Sequence, residues 1–159
     1  MKKLALLFAG LALFATTTTA CNNDDENTAP EVPLVGTWQP LAEVRTEVDV
    51  NGDGFSDQIT YSTCQQQGRW VFKENTSGTR TTFEESGLPI VCAQTSNRTF
   101  SYIYDKSGKT IELKYQGTVV SDKGKITRLD ADAMNLMIED KTDPAVYKTV
   151  TYSFKRIPQ

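Results

Sequence analysis

Residues 34–159 predict an all-β domain, an antiparallel meander of about eight strands closing into a small up-and-down barrel. Three observations predict it. From Leu34 onward apolar residues recur with period two; turn-forming residues punctuate the chain about every eight to twelve positions; and no stretch after the first twenty residues carries a helical apolar stripe. A meander of that length must hide its edges, and closure removes them.

The elements follow in order. Trp38, Ala42, Val44 and Val48 share one face of a first strand, with Pro40 marking an edge or a bulge, and Ile59 to Tyr61 reads as strand beyond an Asp-rich turn. Trp70 and Phe72 mark the next strand, which stops at the Asn75 to Gly78 turn. Phe83 sits in a Thr-rich segment, and the Gly- and Pro-containing stretch from Ser86 to Asn97 predicts a mouth loop pinned by Cys92. Phe100, Tyr102 and Tyr104 alternate in another strand, and Ser107-Gly108 separates it from Ile111, Leu113 and Tyr115. Val119 begins a strand, Ile126 and Leu129 another, Met134, Leu136 and Ile138 one more, and Val146, Val150, Tyr152 and Phe154 finish the chain. Phe83, Phe100, Tyr102 and Tyr104 are candidates for lining a ligand, although core packing is the stronger reading of such aromatics.

Leu34-Val35-Gly36-Thr37-Trp38 near the start, Trp70-Val71-Phe72, and the closing Tyr152-Ser153-Phe154-Lys155-Arg156 resemble the lipocalin-like domain of exported, bacteroidete-type bacterial lipoproteins over most of residues 34–156. The resemblance implies a calycin-type barrel, sometimes with a hydrophobic ligand inside. Trp38 reads as a plug packing the closed end rather than as a ligand contact.

The amino-terminal segment gives an address. Lys2 and Lys3 precede an apolar run from Leu4 to Phe14, too short to span a bilayer, and small residues lead to Ala20, so residues 1–20 predict a signal peptide. Thr18-Thr19-Ala20-Cys21 resembles a lipobox with Thr18 in place of Leu, Val or Ile, which makes Cys21 the expected lipidation site; ordinary cleavage after Ala20 is the alternative. Lipidation leaves Cys64 and Cys92 as an even pair, which predicts a disulfide in an oxidising compartment. A redox or metal role for that pair lacks support, because the chain has no Cys-x-x-Cys and no histidine. Residues 21–33, acidic from Asp24 to Glu26 and poor in large apolar residues, predict a disordered tether. That acidic start resembles the export signal of surface lipoproteins, so the expected location is the outer membrane, with the lipid anchor in the bilayer and the domain at the cell surface or, as the alternative, on the periplasmic side.

The net charge of −3 belongs mostly to this leader and tether, since residues 34–159 carry 15 Lys plus Arg against 16 Asp plus Glu. Such a near-neutral domain gives no basis for nucleic-acid binding.

Asp49 to Asp57 carries the one chemical motif. Asp49, Asn51 and Asp53 occupy positions 1, 3 and 5 of a calcium loop, Gly54 permits the turn at 6, Phe55 offers a backbone carbonyl at 7 and Asp57 a carboxylate at 9. Thr60 stands where the bidentate glutamate belongs, and strands rather than helices flank the motif. The expectation is a weak, structural Ca2+ site with a Kd on the order of 0.1 to 1 mM; a metal-free Asn-Gly and Asp-Gly turn is the alternative.

These features favour a non-catalytic, lipid-anchored binding module for a small apolar molecule, a glycan or an envelope protein. The alternative is a structural, interaction or inhibitor lipoprotein with a packed barrel. Catalysis is disfavoured: histidine and a Gly-x-Ser-x-Gly elbow are missing, and the adjacent Glu84 and Glu85 point to opposite faces of a strand.

Overall fold

In the computed structural model, β1 (Gly36–Val48) organises the sheet because both of its edges are occupied. The structure describes residues 32–143 and 145–158; the signal segment, Cys21 and most of the tether lie outside them. Beyond β1 come β2 (Gly54–Thr60), a 3-10 turn (Gln65–Gln67), β3 (Arg69–Phe72), β4 (Ser77–Ser86), β5 (Val91–Asp105), β6 (Thr110–Tyr115), β7 (Asp122–Leu129), β8 (Ala133–Asp140) and β9 (Tyr147–Ile157). All pairings are antiparallel, in the order β2-β1-β3-β4-β5-β6-β7-β8-β9, and β9 returns to β1 along nearly its whole length. The result is a closed eight-stranded barrel with β2 as an additional strand.

The closed end is built around Trp38, which is fully buried. Its indole Nε1 donates to the Leu34 carbonyl at 2.9 Å, and the Arg156 guanidinium lies 4.1 Å from its ring centroid. Arg156 in turn donates to the carbonyls of Val35 at 3.0 Å and Pro33 at 2.6 Å. The expected plug is therefore a three-part lock of indole, guanidinium and backbone. Gly36 is required there: its φ of +144° disfavours L side chains, and a Cβ would stand 2.6 Å from Arg156 Nη1.

Above the plug, Phe72, Phe100, Tyr102, Phe154 and Trp70 pack mostly edge to face, with Leu113, Ile126, Met134 and Leu136 filling the opposite wall. Burying each of these large side chains contributes about 1.5–3 kcal/mol. Phe100 reaches across β4 only because Gly78 has no side chain; a Cβ there would lie 2.4 Å from the ring.

Three expectations need correction. A bulge between Pro40 and Ala42 shifts the register of β1, so Glu43 (5% exposed) faces the interior in place of Ala42 and Val44. The stretch from Ser86 to Asn97 is no mouth loop: β4 and β5 run on as a paired arm, and only the residues between Ser86 and Val91 turn. Val119, 94% exposed, precedes β7, and one strand covers Ile126 and Leu129 together with Asp122.

A polar cavity at the barrel mouth

β3 ends at Arg69, only four residues long, and above it the wall changes hands. The same edge of β1 pairs with β3 at Gly36–Trp38 and with β2 at Ala42–Val48. On the far side, Thr82 to Ser86 of β4 pair with β5 alone. Two strand edges thus face each other unpaired, and a cavity of about 330 Å³ opens between them.

Glu43, Ile59 and Tyr61 line one side of this cavity, Arg80, Phe83 and Glu84 the other, and Trp70 and Tyr152 lie at its base. The Glu43 carboxylate is fully engaged: Oε1 accepts Arg45 Nε at 2.7 Å, and Oε2 accepts the Tyr61 hydroxyl at 2.5 Å. Burial, reinforced by that carboxylate, pushes the Tyr61 hydroxyl far above its ordinary range. The connection from Tyr61 to Gly68 is tied down by its own network. Gln66 Nε2 donates to the Tyr61 carbonyl at 2.8 Å, Gln39 Nε2 to the Gln66 carbonyl at 2.9 Å, and Arg69 Nη1 to the Gly68 carbonyl at 2.6 Å. The Cys64–Cys92 disulfide, with Cα atoms 5.6 Å apart, fastens this connection to β5, so the expected bridge is present.

Arg80 is the opposite case. Its guanidinium lies 4.5 Å from the Trp70 ring centroid and 5.3 Å from that of Tyr152. Its Nη2 donates to the Tyr152 hydroxyl at the long limit of 3.5 Å, the Tyr115 hydroxyl also lies beside the guanidinium, and its buried Nε has no partner. No carboxylate among the described residues lies within ion-pair distance of it. The Tyr115 hydroxyl is buried near Arg80 with no hydrogen bond of good geometry, and the Arg98 guanidinium lies 4.0 Å from the centroid of its ring. Asp122 is held above the usual carboxylate range by burial, against the pull of Arg98 and Arg80.

Of the four aromatics expected to line a ligand, Phe83 reaches this cavity. Phe100 and Tyr102 are buried in the core, Tyr104 packs against it, and the Tyr102 hydroxyl donates to the Lys73 carbonyl at 2.7 Å, toward the closed end. Sequence reasoning missed Glu43, Tyr61, Arg80 and Tyr152. A signal for Arg80 was available: it stands two residues after the inward-facing Gly78, hence on the same face.

The Asp-rich loop forms the β1–β2 turn. Asp49 Oδ1 accepts the backbone amides of Asn51 at 2.8 Å and Asp53 at 3.0 Å, and these bonds hold its carboxyl below the ordinary value, Asn51 first. Phe55 and Asp57 belong to β2, opposite Glu47 and Arg45. Among the described residues no group of three or more His, Cys, Asp or Glu is placed to hold a metal ion. A second hollow, about 620 Å³, lies beside Val120, Asp122, Ile138 and Asp140. Its charged rim includes a Lys141–Glu139 pair at 2.7 Å.

A family model described as a lipocalin-like domain matches residues 34–136. Solved structures similar to this chain include lobster apocrustacyanin A1, with 10% identity over 79% of this chain and 61% of that one at a TM-score of 0.46. The chain thus spans about three fifths of the length of the lobster protein. A deswapped triple mutant of bovine odorant-binding protein shares 12% identity over 78% of this chain and 74% of its own, at a TM-score of 0.41. Aphrodisin, a sex pheromone from female hamster, shares 7% over 79% and 76%, at 0.40. No curated protein matches the chain by sequence.

Proposed function

Given that the chain belongs to the lipocalin-like domain family, we propose that it is a non-catalytic binding module that holds a small molecule in the mouth of its barrel. One observation carries the reading: the 330 Å³ cavity runs between two unpaired strand edges down to Trp70 and Tyr152, joining an aromatic base to a polar rim. Its volume stands at the lower end of the range for small-molecule sites, about 300–1,000 Å³. Native mass spectrometry after incubation with an envelope extract tests it. The expected result is a retained small molecule that Phe83→Trp displaces by filling the cavity; an unloaded protein indifferent to the extract would sink the reading.

The same proposal includes the address. Cys21 carries a lipid anchor and the domain is displayed from the outer membrane, supported by the signal-like residues 1–20 and by the even pair left in the Cys64–Cys92 bridge. Mass spectrometry of the mature amino terminus checks this, and an unmodified Cys21 overturns it. A calcium ion at the β1–β2 turn would have to displace two amide donors from Asp49. A rise in melting temperature with 5 mM calcium, abolished by Asp53→Ala, is the outcome this part of the proposal requires.

A second reading, docking of an envelope protein, draws support from Leu88, Ile90 and Val91, which are 98%, 71% and 55% exposed at the tip of the β4–β5 arm. Loss of cross-linked partners in a Leu88→Ser, Ile90→Ser variant would favour it.

A further inference from the structure

We propose that the ligand of the mouth cavity is a small organic acid, bound by its carboxylate to the Arg80 guanidinium and by its apolar body to Phe83 and Ile59. The proposal rests on the binding-module reading above and names the class of molecule bound.

The argument is one of hydrogen-bonding capacity. The cavity lining carries four charged groups, Glu43, Arg45, Arg80 and Glu84, of which Arg45 and Glu84 are exposed. Each oxygen of Glu43 already accepts a bond, from Arg45 and from Tyr61. Thr82 Oγ1 is engaged with Ser96 Oγ at 2.8 Å, and the Gln65 side-chain oxygen with the Ser62 amide at 2.9 Å. Arg80 remains: a planar fork of five donors with a marginal contact to Tyr152, the Tyr115 hydroxyl beside it and no carboxylate within ion-pair distance among the described residues. Glu84 is exposed to solvent, so the unused groups in the less exposed part of the cavity are donors and select an acceptor.

The geometry narrows the class. Trp70 and Tyr152 stack against the guanidinium and stabilise its charge without satisfying its N–H groups, which leaves the plane of the fork for a bidentate partner. A carboxylate matches that fork, and a neutral amide returns only part of the interaction. A primary amine would meet like charge. Among the otherwise largely polar lining, Ile59, Pro40 and Phe83 supply apolar surface that suits a short hydrocarbon or aromatic body.

The Tyr152 and Tyr115 hydroxyls favour the charged guanidinium and Asp122 lies within its electrostatic reach, so the charge is held in the unliganded protein. Replacing Arg80 with an uncharged residue should abolish selectivity. A purely structural arginine would not set it.

Calorimetry with 4-phenylbutyrate, 4-phenylbutyramide and 4-phenylbutylamine, on the mature chain, separates the cases. The carboxylate is expected to bind on the order of tenfold more tightly than the amide, and the amine most weakly. Arg80→Gln is expected to equalise carboxylate and amide. Arg80→Lys keeps the charge without the fork and should retain part of the preference. Equal binding of all three probes to the native protein, or a preference that survives Arg80→Gln, overturns the organic-acid assignment and leaves the binding module standing. Failure of every probe, with the protein folded, removes both.

Discussion

Two arginines in this barrel each lie over a tryptophan, and they do different work. Arg156 covers Trp38 at the closed end and donates to the carbonyls of Val35 and Pro33. Arg80 covers Trp70 at the mouth at nearly the same distance, yet it meets only the tyrosine hydroxyls of Tyr152 and Tyr115. Both leave Nε without a partner, so the difference lies in the terminal nitrogens. Where backbone carbonyls take those donors, the pair seals the barrel; where they do not, donors are left for the ligand proposed for the mouth. The same cation–π motif is structural or functional according to what its hydrogens meet.

That contrast can be broken most severely from the closed end. Trp38→Ala removes the plug and should cost about 3–5 kcal/mol in urea-induced unfolding; a loss below about 1 kcal/mol would show that the lock does not organise the fold. Next in size, Cys64→Ser with Cys92→Ser frees a separation of 28 residues and should cost about 3–4 kcal/mol on the chain-entropy model. Its amide-exchange protection should fall at Tyr61 to Gly68 before it falls around Trp38, because the bridge ties the mouth.

Arg156→Gln sharpens the comparison directly. It uncovers Trp38 and leaves two carbonyls short of donors, an expected loss of about 1–3 kcal/mol, larger than the loss in Arg80→Gln. Melting curves of the two variants suffice; an equal or smaller loss in Arg156→Gln would erase the distinction.

Alkaline pH should act on the tyrosines around the mouth. Burial raises the hydroxyls of Tyr61 and Tyr115 above the ordinary value of 10.0. The folded state keeps protons there that the unfolded chain releases, so this stability is present below pH 10 and is lost as pH rises beyond it. Urea midpoints between pH 8 and 11 should fall, and Tyr61→Phe should flatten the decline. The smallest effect belongs to Tyr115→Phe, which removes a buried hydroxyl with no hydrogen bond of good geometry and should be neutral or stabilising by up to about 1 kcal/mol.

The core was legible in the chain because its chemistry is apolar. Trp38, Trp70, Phe72 and Phe154 announce themselves by period and bulk, and cysteine parity pointed to Cys64–Cys92. The polar lining of the mouth was not, for two physical reasons. The bulge after Pro40 exchanges the faces of β1, so counting alternate residues from Trp38 leads to Ala42 and Val44 instead of Glu43. Inward positions near an open end are also polar, so Arg80, among Thr79, Thr81 and Thr82, reads as solvent-facing in a pattern that marks only hydrophobic residues. The Ser86 to Asn97 segment was mistaken for a loop on its Gly87 and Pro89, which occupy only the tip of a long hairpin.

The closure between β1 and β9 sets a limit on biogenesis. The lock joins Arg156 to Val35, separated by 121 residues, and β1 has no second full-length partner until β9 exists. A chain emerging amino terminus first cannot complete this barrel until its last strand has been delivered, so folding is held back by order of synthesis as well as by slow long-range pairing. If the chain is exported as proposed, late closure would keep it threadable for the whole of its passage.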